Sequence, residues 1–226
     1  GYPMTDFVVR HGAPLGEPSF VHQGFQNTLS ITYVIDARER EGWKARLSKN
    51  HRYYLRKAEE QRASEPWEVL RGASADEAWT LLQATGGRKG FRLEVSRERF
   101  ESSIGRLLER GAAEIWSLVD ASGRTVSAAL LARDDRFAYY LASGMRPGLR
   151  RDFLGNYVLL QAMIDDTLQR GLSFDFEGSV LPGVEPFFRG FGGEIRYNVR
   201  QVRISSVLVY VIWAASRYRN ARRRVE

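Results

Sequence analysis

Cysteine is absent from the 226 residues. That excludes a disulfide scaffold, a thiolate zinc site and a cysteine nucleophile. Histidine occurs only at His11, His22 and His51, too sparsely for a multi-histidine metal site or a Ser-His-Asp triad. No metal site is therefore expected. The apolar run over residues 207–215 falls well short of the roughly 20 residues a membrane-spanning helix needs. No signal peptide is visible, and the opening Gly1-Tyr-Pro-Met reads as an internal cut. The lack of cysteine agrees with a cytoplasmic setting.

A hydrophobic content of 43% with 12% aromatics is that of a globular chain. Its length suits one large domain, or one domain with part of another. Lysine and arginine exceed aspartate and glutamate by seven, so the surface should favour anionic partners: nucleic acid, phosphorylated cofactors or acidic lipid headgroups. Part of the excess lies in Arg217, Arg219, Arg222, Arg223 and Arg224. These read either as the solvated end of a docking helix or as a peripheral anchor at the inner face of the membrane.

Along the chain, Leu29-Ser-Ile-Thr-Tyr-Val-Ile-Asp36 alternates as a strand does. Residues 38–62 form a charged helical segment, and residues 67–70 a short strand. Ser74-Ala-Asp-Glu77 is a capping box that opens a helix ending at Gly86-Gly87. Residues 96–110 form an amphipathic helix stopped by Gly111. Strands follow over 113–120, 124–133 and 136–143, then a helix over 153–170, a strand over 173–177, a short aromatic helix over 185–189 and a strand over 194–204. A strand–helix–strand crossover near the end requires a parallel pair. The expected fold is mixed α/β, mainly antiparallel, with flanking helices. Its expected division is an N-terminal segment over 1–64, a main domain over 65–205 and a basic helix over 206–226.

The stretch Phe174-Asp-Phe-Glu-Gly178 places Phe174 and Phe176 on one strand face, with Asp175 and Glu177 on the other. The two carboxylates read as catalytic, as cation-binding or as solvated partners of the surplus arginines. Arg88 and Lys89 read as an anion clamp or as a basic helix end. Lys49, Arg52, Arg56 and Lys57 share one helical segment and read as phosphate contacts or as a solvated face. Phe187, Phe188 and Phe191 read as core or as a pocket wall. The loop from Arg146 to Asn156, with Arg150 and Arg151, precedes a helix start and reads as a phosphate site or as an ordinary loop with Gly155 serving close packing.

Five motifs in order carry a resemblance: Leu47-Ser-Lys-Asn-His-Arg52 with Arg56-Lys57-Ala58, Thr85-Gly-Gly-Arg-Lys-Gly-Phe91, Tyr139-Tyr140-Leu-Ala-Ser143, Phe174-Asp-Phe-Glu-Gly178 and Phe188-Arg-Gly-Phe-Gly-Gly193. The chain from about residue 30 to 204 resembles the GNAT acyltransferase superfamily, in particular the branch of Fem-type aminoacyltransferases and their relatives in polysaccharide loci. The compact Gly-rich pyrophosphate loop of ordinary acetyltransferases is missing, as is a paired-helix arm, and only about one of the usual two GNAT-like domains is present. The 1–64 segment would be the remnant of a first one.

The resemblance implies amide formation by transfer of an acyl or aminoacyl group from an anionic carrier. Acyl-CoA or aminoacyl-tRNA would be the co-substrate, with no tightly bound cofactor. The acceptor would be an amine on a cell-wall precursor, an aminosugar or a small metabolite. It implies a splayed strand pair between Ser143 and residues 173–177, with Tyr140 facing Asp175 and Glu177 and Tyr139 turned away. Glu177, Asp175 and Tyr140 would then be catalytic. Ser143, Arg146, Arg150, Arg151 and Asn156 would hold the donor, while Arg52, Arg88, Lys89 and Phe188 would bind the acceptor or an anion. The competing reading is a non-catalytic basic module on a degenerate GNAT scaffold that binds RNA, anionic glycan or membrane.

Overall fold

The computed structural model describes residues 4–9, 22–89, 95–149, 153–178 and 183–204. Eight strands form one sheet: β1 (Met4–Val9), β2 (Gln26–Ile35), β3 (Trp67–Arg71), β4 (Ala113–Asp120), β5 (Thr125–Arg133), β6 (Phe137–Met145), β7 (Ser173–Asp175) and β8 (Glu194–Ile204). Their order is β1-β8-β2-β7-β6-β5-β4-β3, and every pairing is antiparallel except β6 with β7. The segment 1–64 shares this sheet with the rest, since β2 lies between β8 and β7.

The helices are α1 (Lys49–Ser64), α2 (Ala75–Lys89), α3 (Arg97–Glu109), α4 (Gly155–Gln169) and α5 (Glu185–Arg189). Central strand β5 is apolar along most of its length, because both its faces are covered. On one face Ala128 and Leu130 pack with Leu81, Leu82, Phe100 and Ile104 of α2 and α3. On the other, Ala129 and Leu131 pack with Leu159, Leu160, Met163 and Ile164 of α4, and with Phe174, Phe176, Phe188 and Phe191.

The capping box at α2 forms as expected. Glu77 N–H donates to Ser74 Oγ at 3.1 Å, and Ser74 N–H donates to Glu77 Oε2 at 3.1 Å. The helix does not stop at Gly86-Gly87 but runs through both to Lys89. Each glycine costs only about 1 kcal/mol in a helix, and this turn is fastened to β6: Met145 N–H donates to Thr85 Oγ1 at 2.9 Å. Residues 38–62 are not one helix. Two 3₁₀ turns, Ala37–Glu39 and Trp43–Arg46, precede α1, whose N-cap is Ser48. The helix predicted to open the C-terminal tail lies outside the described residues.

A strand–helix–strand crossover through α4 produces the parallel pair, as the chain order requires. The pair is short: Phe137↔Ser173, Ala138↔Phe174 and Tyr139↔Asp175. Parallel partners share a face, so Tyr139 lies beside Asp175, and Tyr140 turns to the other face with Phe174 and Phe188. This reverses the expected pairing of Tyr140 with the carboxylates. One residue of register decides it.

His51 ties α1 to α5. It is 5% exposed and is ringed by Tyr157, Phe187 and Phe191 at centroid distances of 5.1, 5.7 and 4.8 Å. Nε2–H donates to the Phe187 carbonyl at 2.8 Å, which leaves Nδ1 to accept from Ser48 Oγ at 3.0 Å. Gly190 lies against this ring, where a Cβ would sit 1.9 Å from His51 Cε1. Burial lowers the imidazole pKa below its usual 6.5, opposed by the bond to Phe187.

The native state thus holds His51 neutral while the unfolded chain protonates near 6.5. Stability should be complete above that pH and fall as pH drops through and below it. Denaturant melts from pH 8 to 5 (flanking a reference near 6.5) should show this slope in the wild type and a flatter one in His51→Gln. A second expectation concerns Gly144 in β6. A Cβ there would lie 2.2 Å from the Leu81 carbonyl carbon and 2.4 Å from Leu82 N. Gly144→Ala should cost about 1–3 kcal/mol in a chemical melt by prying α2 off the sheet.

Candidate active site

Beyond Tyr139 the parallel pair separates. Phe176 N–H donates to the Tyr33 carbonyl of β2 at 3.0 Å, and Gly178, at φ +69°, sits where a Cβ would be 2.1 Å from the Ile31 carbonyl oxygen. Residues 176–178 therefore follow β2, while β6 continues alone to Met145. Among the described residues, the β6 edge from Leu141 to Met145 has no strand partner on the β7 side. The Met145 N–H is taken by Thr85 Oγ1, and the diverging segments leave a gap beside residues 141–144 of β6.

A bulge shapes this edge. Leu131 pairs with Tyr140 and Leu130 with Ala142, so Leu141 is an extra residue. It stands 41% exposed. The extra residue restores the parity of the strand and puts Tyr140 and Ser143 on one face, although they are three residues apart. Burial pushes the Tyr140 phenol up to about 12, only partly offset by the Ser143 hydroxyl. At neutral pH Tyr140 keeps its proton and is a donor, not a base. Ser143 is half-buried.

The start of α4 abuts the same end of β6. Ser127 Oγ donates to Asn156 Oδ1 at 2.8 Å and lies 3.2 Å from the Gly144 carbonyl, and Asn156 Nδ2 contacts Met145 Sδ at 2.8 Å. Gly155 lets the start of α4 lie close to β4, since a Cβ there would meet the Leu118 side chain at 2.3 Å and the Phe153 ring at 2.4 Å. The close-packing role foreseen for Gly155 is present, and the helix N-terminus it permits faces the end of β6. The N-cap Leu154 makes no side-chain cap bond, and its N–H donates to Gln61 Oε1 at 3.1 Å.

Arg146, expected at the donor, and Arg88 and Arg52, expected at the acceptor or an anion, all donate to backbone carbonyls. Arg146 donates from Nε and Nη2 to the Thr125 carbonyl at 3.0 and 2.7 Å. Arg88 reaches the Arg146 carbonyl at 3.3 Å and Thr85 Oγ1 at 3.4 Å. Arg52 donates to the Leu47 carbonyl at 2.7 Å. All three brace the chain locally. Arg150, Arg151 and the Lys89 side chain lie outside the described residues. Phe188 is core, packed on Tyr140 and Phe176 at 5.7 and 5.2 Å.

Asp175 is fully buried on the sheet face opposite Tyr140. Its Oδ1 accepts from Thr32 Oγ1 and from Glu177 N–H, the latter at 2.8 Å. Glu177 is half-buried with φ 58°, a left-handed conformation that costs a non-glycine residue roughly 1 kcal/mol or more. The Asp175 bond to its N–H offsets that cost. The structure thus joins Asp175 to Glu177 and brings Tyr140 and Ser143 to one face of β6. Sequence reasoning missed Ser127 and Thr85, the hydroxyls that hold β6 to α4 and α2. The hydroxyl of Ser127 within the apolar run Val126-Ser-Ala-Ala-Leu-Leu131 was the available signal for the first.

Among the described residues, no group of three or more His, Cys, Asp or Glu side chains is placed to hold a metal ion, and no helix is long and apolar enough to cross a membrane. No curated protein matches the sequence. Solved structures do share the fold. The crystal structure of FemX is similar with a TM-score of 0.61 at 16% identity, covering 80% of this chain and 67% of that one. L-PGS from Bacillus licheniformis has a TM-score of 0.57 at 13% identity, covering 89% and 68%. The C-terminal domain (DUF2156) of a putative lysylphosphatidylglycerol synthetase from Agrobacterium fabrum has a TM-score of 0.58 at 12% identity, covering 86% and 67%. The chain spans only 62% of a Bacteroides thetaiotaomicron protein of unknown function that is similar with a TM-score of 0.58. Residues 45–189, which hold the bulged β6, the crossover helix and the diverging β7, match the acetyltransferase (GNAT) domain family. With more than half its length matched, the chain belongs to the GNAT family of N-acyltransferases.

Proposed function

We propose that the protein forms an amide by moving an acyl or aminoacyl group from an anionic carrier to an amine, with the reaction seated in the gap between β6 and residues 176–178. The observation that carries this reading is the β6 edge from Leu141 onward, which among the described residues has no strand partner beyond the short parallel pair. Free strand N–H groups bind an acyl carbonyl and stabilise the oxyanion that forms from it.

In this reading the acceptor nitrogen attacks the carbonyl carbon, and the new C–N bond forms as the carrier's C–S or C–O bond breaks. The ammonium proton passes to Glu177, directly or through water. The leaving thiolate or alkoxide takes a proton relayed from Tyr140 through Ser143, and the proton taken by Glu177 returns to Tyr140 through solvent, which restores both residues. Asp175 is a positioning residue: it fixes the Glu177 backbone rather than meeting substrate. Phosphates of the carrier sit at the N–H groups of the first turn of α4, beside Asn156, with Arg150 and Arg151 from the loop before it. Arg88 and Arg146 buttress that end of β6, and Lys89 continues the basic helix end there. Membership of the GNAT family favours acyl-CoA as donor, and the likeness to FemX adds aminoacyl-tRNA as the alternative carrier. The acceptor class is an amine on a cell-wall precursor, an aminosugar or a small metabolite.

The test is a donor panel of CoA thioesters and aminoacyl-tRNAs against amine acceptors, with wild type, Glu177→Gln and Tyr140→Phe. Each substitution should lower kcat by about a hundredfold with little change in donor KM. Asp175→Asn should also lower kcat, together with the melting temperature. Ligand binding without turnover by the wild type across the whole panel would overturn catalysis and leave a binding module.

A further inference from the structure

The sheet face that carries α1, α4 and α5 is left open at β2 and β8. Antiparallel register pairs Tyr33 with Ile195, Ile31 with Tyr197 and Leu29 with Val199. Alternate residues of a strand face the same way, so these six side chains share the face on which Tyr33 joins the core. Tyr33 is buried, and its hydroxyl donates to Glu185 Oε1 of α5. Beyond it the cover stops: Leu29 is 64% exposed, Tyr197 60% and Ile195 50%. A contiguous exposed apolar strip marks an interaction surface. Further along β8 the cover resumes. Val199 and Gln201 face the same way and are only 6% and 3% exposed, although their β2 partners Leu29 and Asn27 are exposed. Cover over this face therefore begins where the chain leaves β8 and stops short of Tyr197.

The chain supplies a matching segment. Residues 205–226 lie outside the described residues and continue directly from β8. After Ser205 and Ser206 comes the run Val207-Leu-Val-Tyr-Val-Ile-Trp-Ala-Ala215, which has no charged side chain. The proposed reaction uses none of it. The strip extends from the level of Val199 to Ile195, about 17 to 30 Å back from Ile204 at roughly 3.3 Å per residue. Residues 205–215 cover about 17 Å as a helix and about 36 Å if extended. The run is therefore long enough to lie back over the strip.

We propose that residues 207–215 turn back over β8 and bind the strip formed by Leu29, Ile31, Ile195 and Tyr197, as an intramolecular cover. Both surfaces are apolar, and each removes the other from water. The two-serine tether holds the run beside the strip at an effective concentration on the order of millimolar, an advantage that a second copy of the chain lacks. Docking also continues the cover already present over Val199 and Gln201. Arg217, Arg219, Arg222, Arg223 and Arg224 follow the run and keep their charges in water.

The chain has no cysteine, so a disulfide trap in the full 226-residue chain reports one introduced pair at a time. Tyr197→Cys is combined in turn with Val207→Cys, Val209→Cys, Val211→Cys and Trp213→Cys, and dilute protein is oxidised mildly. At least one pair should close within the chain. Arg99→Cys, exposed on α3 across the sheet, should not close with any of the same four. A bond between two chains would assign the strip to a second copy and overturn the proposal, as would no bond above the Arg99 control. Hydrogen exchange read by mass spectrometry supplies an independent measure. Amides 207–215 should be protected in the wild type, and Leu29→Asp with Tyr197→Asp should speed their exchange by roughly tenfold or more. Both positions are exposed, and circular dichroism melts matching the wild type confirm that the sheet is intact. Protection unchanged by the aspartates overturns the proposal. Protection that arises only with phosphatidylglycerol vesicles also overturns it and makes the run a membrane anchor.

Discussion

The Phe176 N–H bond to the Tyr33 carbonyl is the interaction on which the arrangement of this protein turns. A parallel pair that kept its register would consume the backbone groups of β6 as far as Met145. Instead, the chain after Asp175 stays with β2, and Gly178 lets it lie against the Ile31 carbonyl where no side chain would fit. Two strands that share only three paired positions then diverge, and among the described residues β6 is left without a strand partner on that side beyond Tyr139. Elsewhere in a sheet such an edge is a liability. In the proposed reaction this edge supplies the donors that meet the acyl carbonyl.

Other features keep that edge in place. The bulge at Leu141 sets Tyr140 and Ser143 on a common face. Gly144 lets α2 cross at backbone distance, and the Thr85 hydroxyl bonds to Met145 N–H. On the other side, Ser127 and Asn156 bind the start of α4 to the same strand end. The gap is thus defined by a strand held from both faces and a neighbour drawn away. The His51 contact with the Phe187 carbonyl extends this bracing to α5, whose Phe188 packs on Tyr140. A neutral imidazole in an aromatic ring of neighbours serves that purpose well, since it needs only one donor and one acceptor partner.

Much of the fold was legible from local pattern. The capping box at Ser74 and Glu77, the stop at Gly111, the five-residue helix Glu185–Arg189 and the strand Glu194–Ile204 follow from capping chemistry, left-handed glycine and alternation, which are short-range effects. Strand β1 was not anticipated, nor was the split of residues 38–62 into two 3₁₀ turns and α1. Both depend on partners distant in sequence: β1 pairs with β8, and the loop before α1 is fastened by Ser48 N–H to the Gly190 carbonyl. The candidate site was legible as a neighbourhood but not as an orientation. Asp175 and Glu177 stood out as two carboxylates at a strand end, whereas Tyr140 and Ser143 followed from the family resemblance. Which of Tyr139 and Tyr140 faces the carboxylates depended on a register that no local signal encodes.

By itself the sequence determined what chemistry was available. It offered no thiol, scarce imidazole, two carboxylates at a strand end, hydroxyls on the preceding strand and an excess of cations, and it fixed the element order that demands a parallel crossover. Tertiary structure decided what those groups do. It spent Arg146, Arg88 and Arg52 on backbone carbonyls, buried Asp175 as the support of Glu177, and set Tyr140 with Ser143 on one face of β6. The physical reason is that composition and periodicity act within a few residues, whereas a side chain's role is set by its partners. Those partners are brought together only when strands far apart in the chain choose their register.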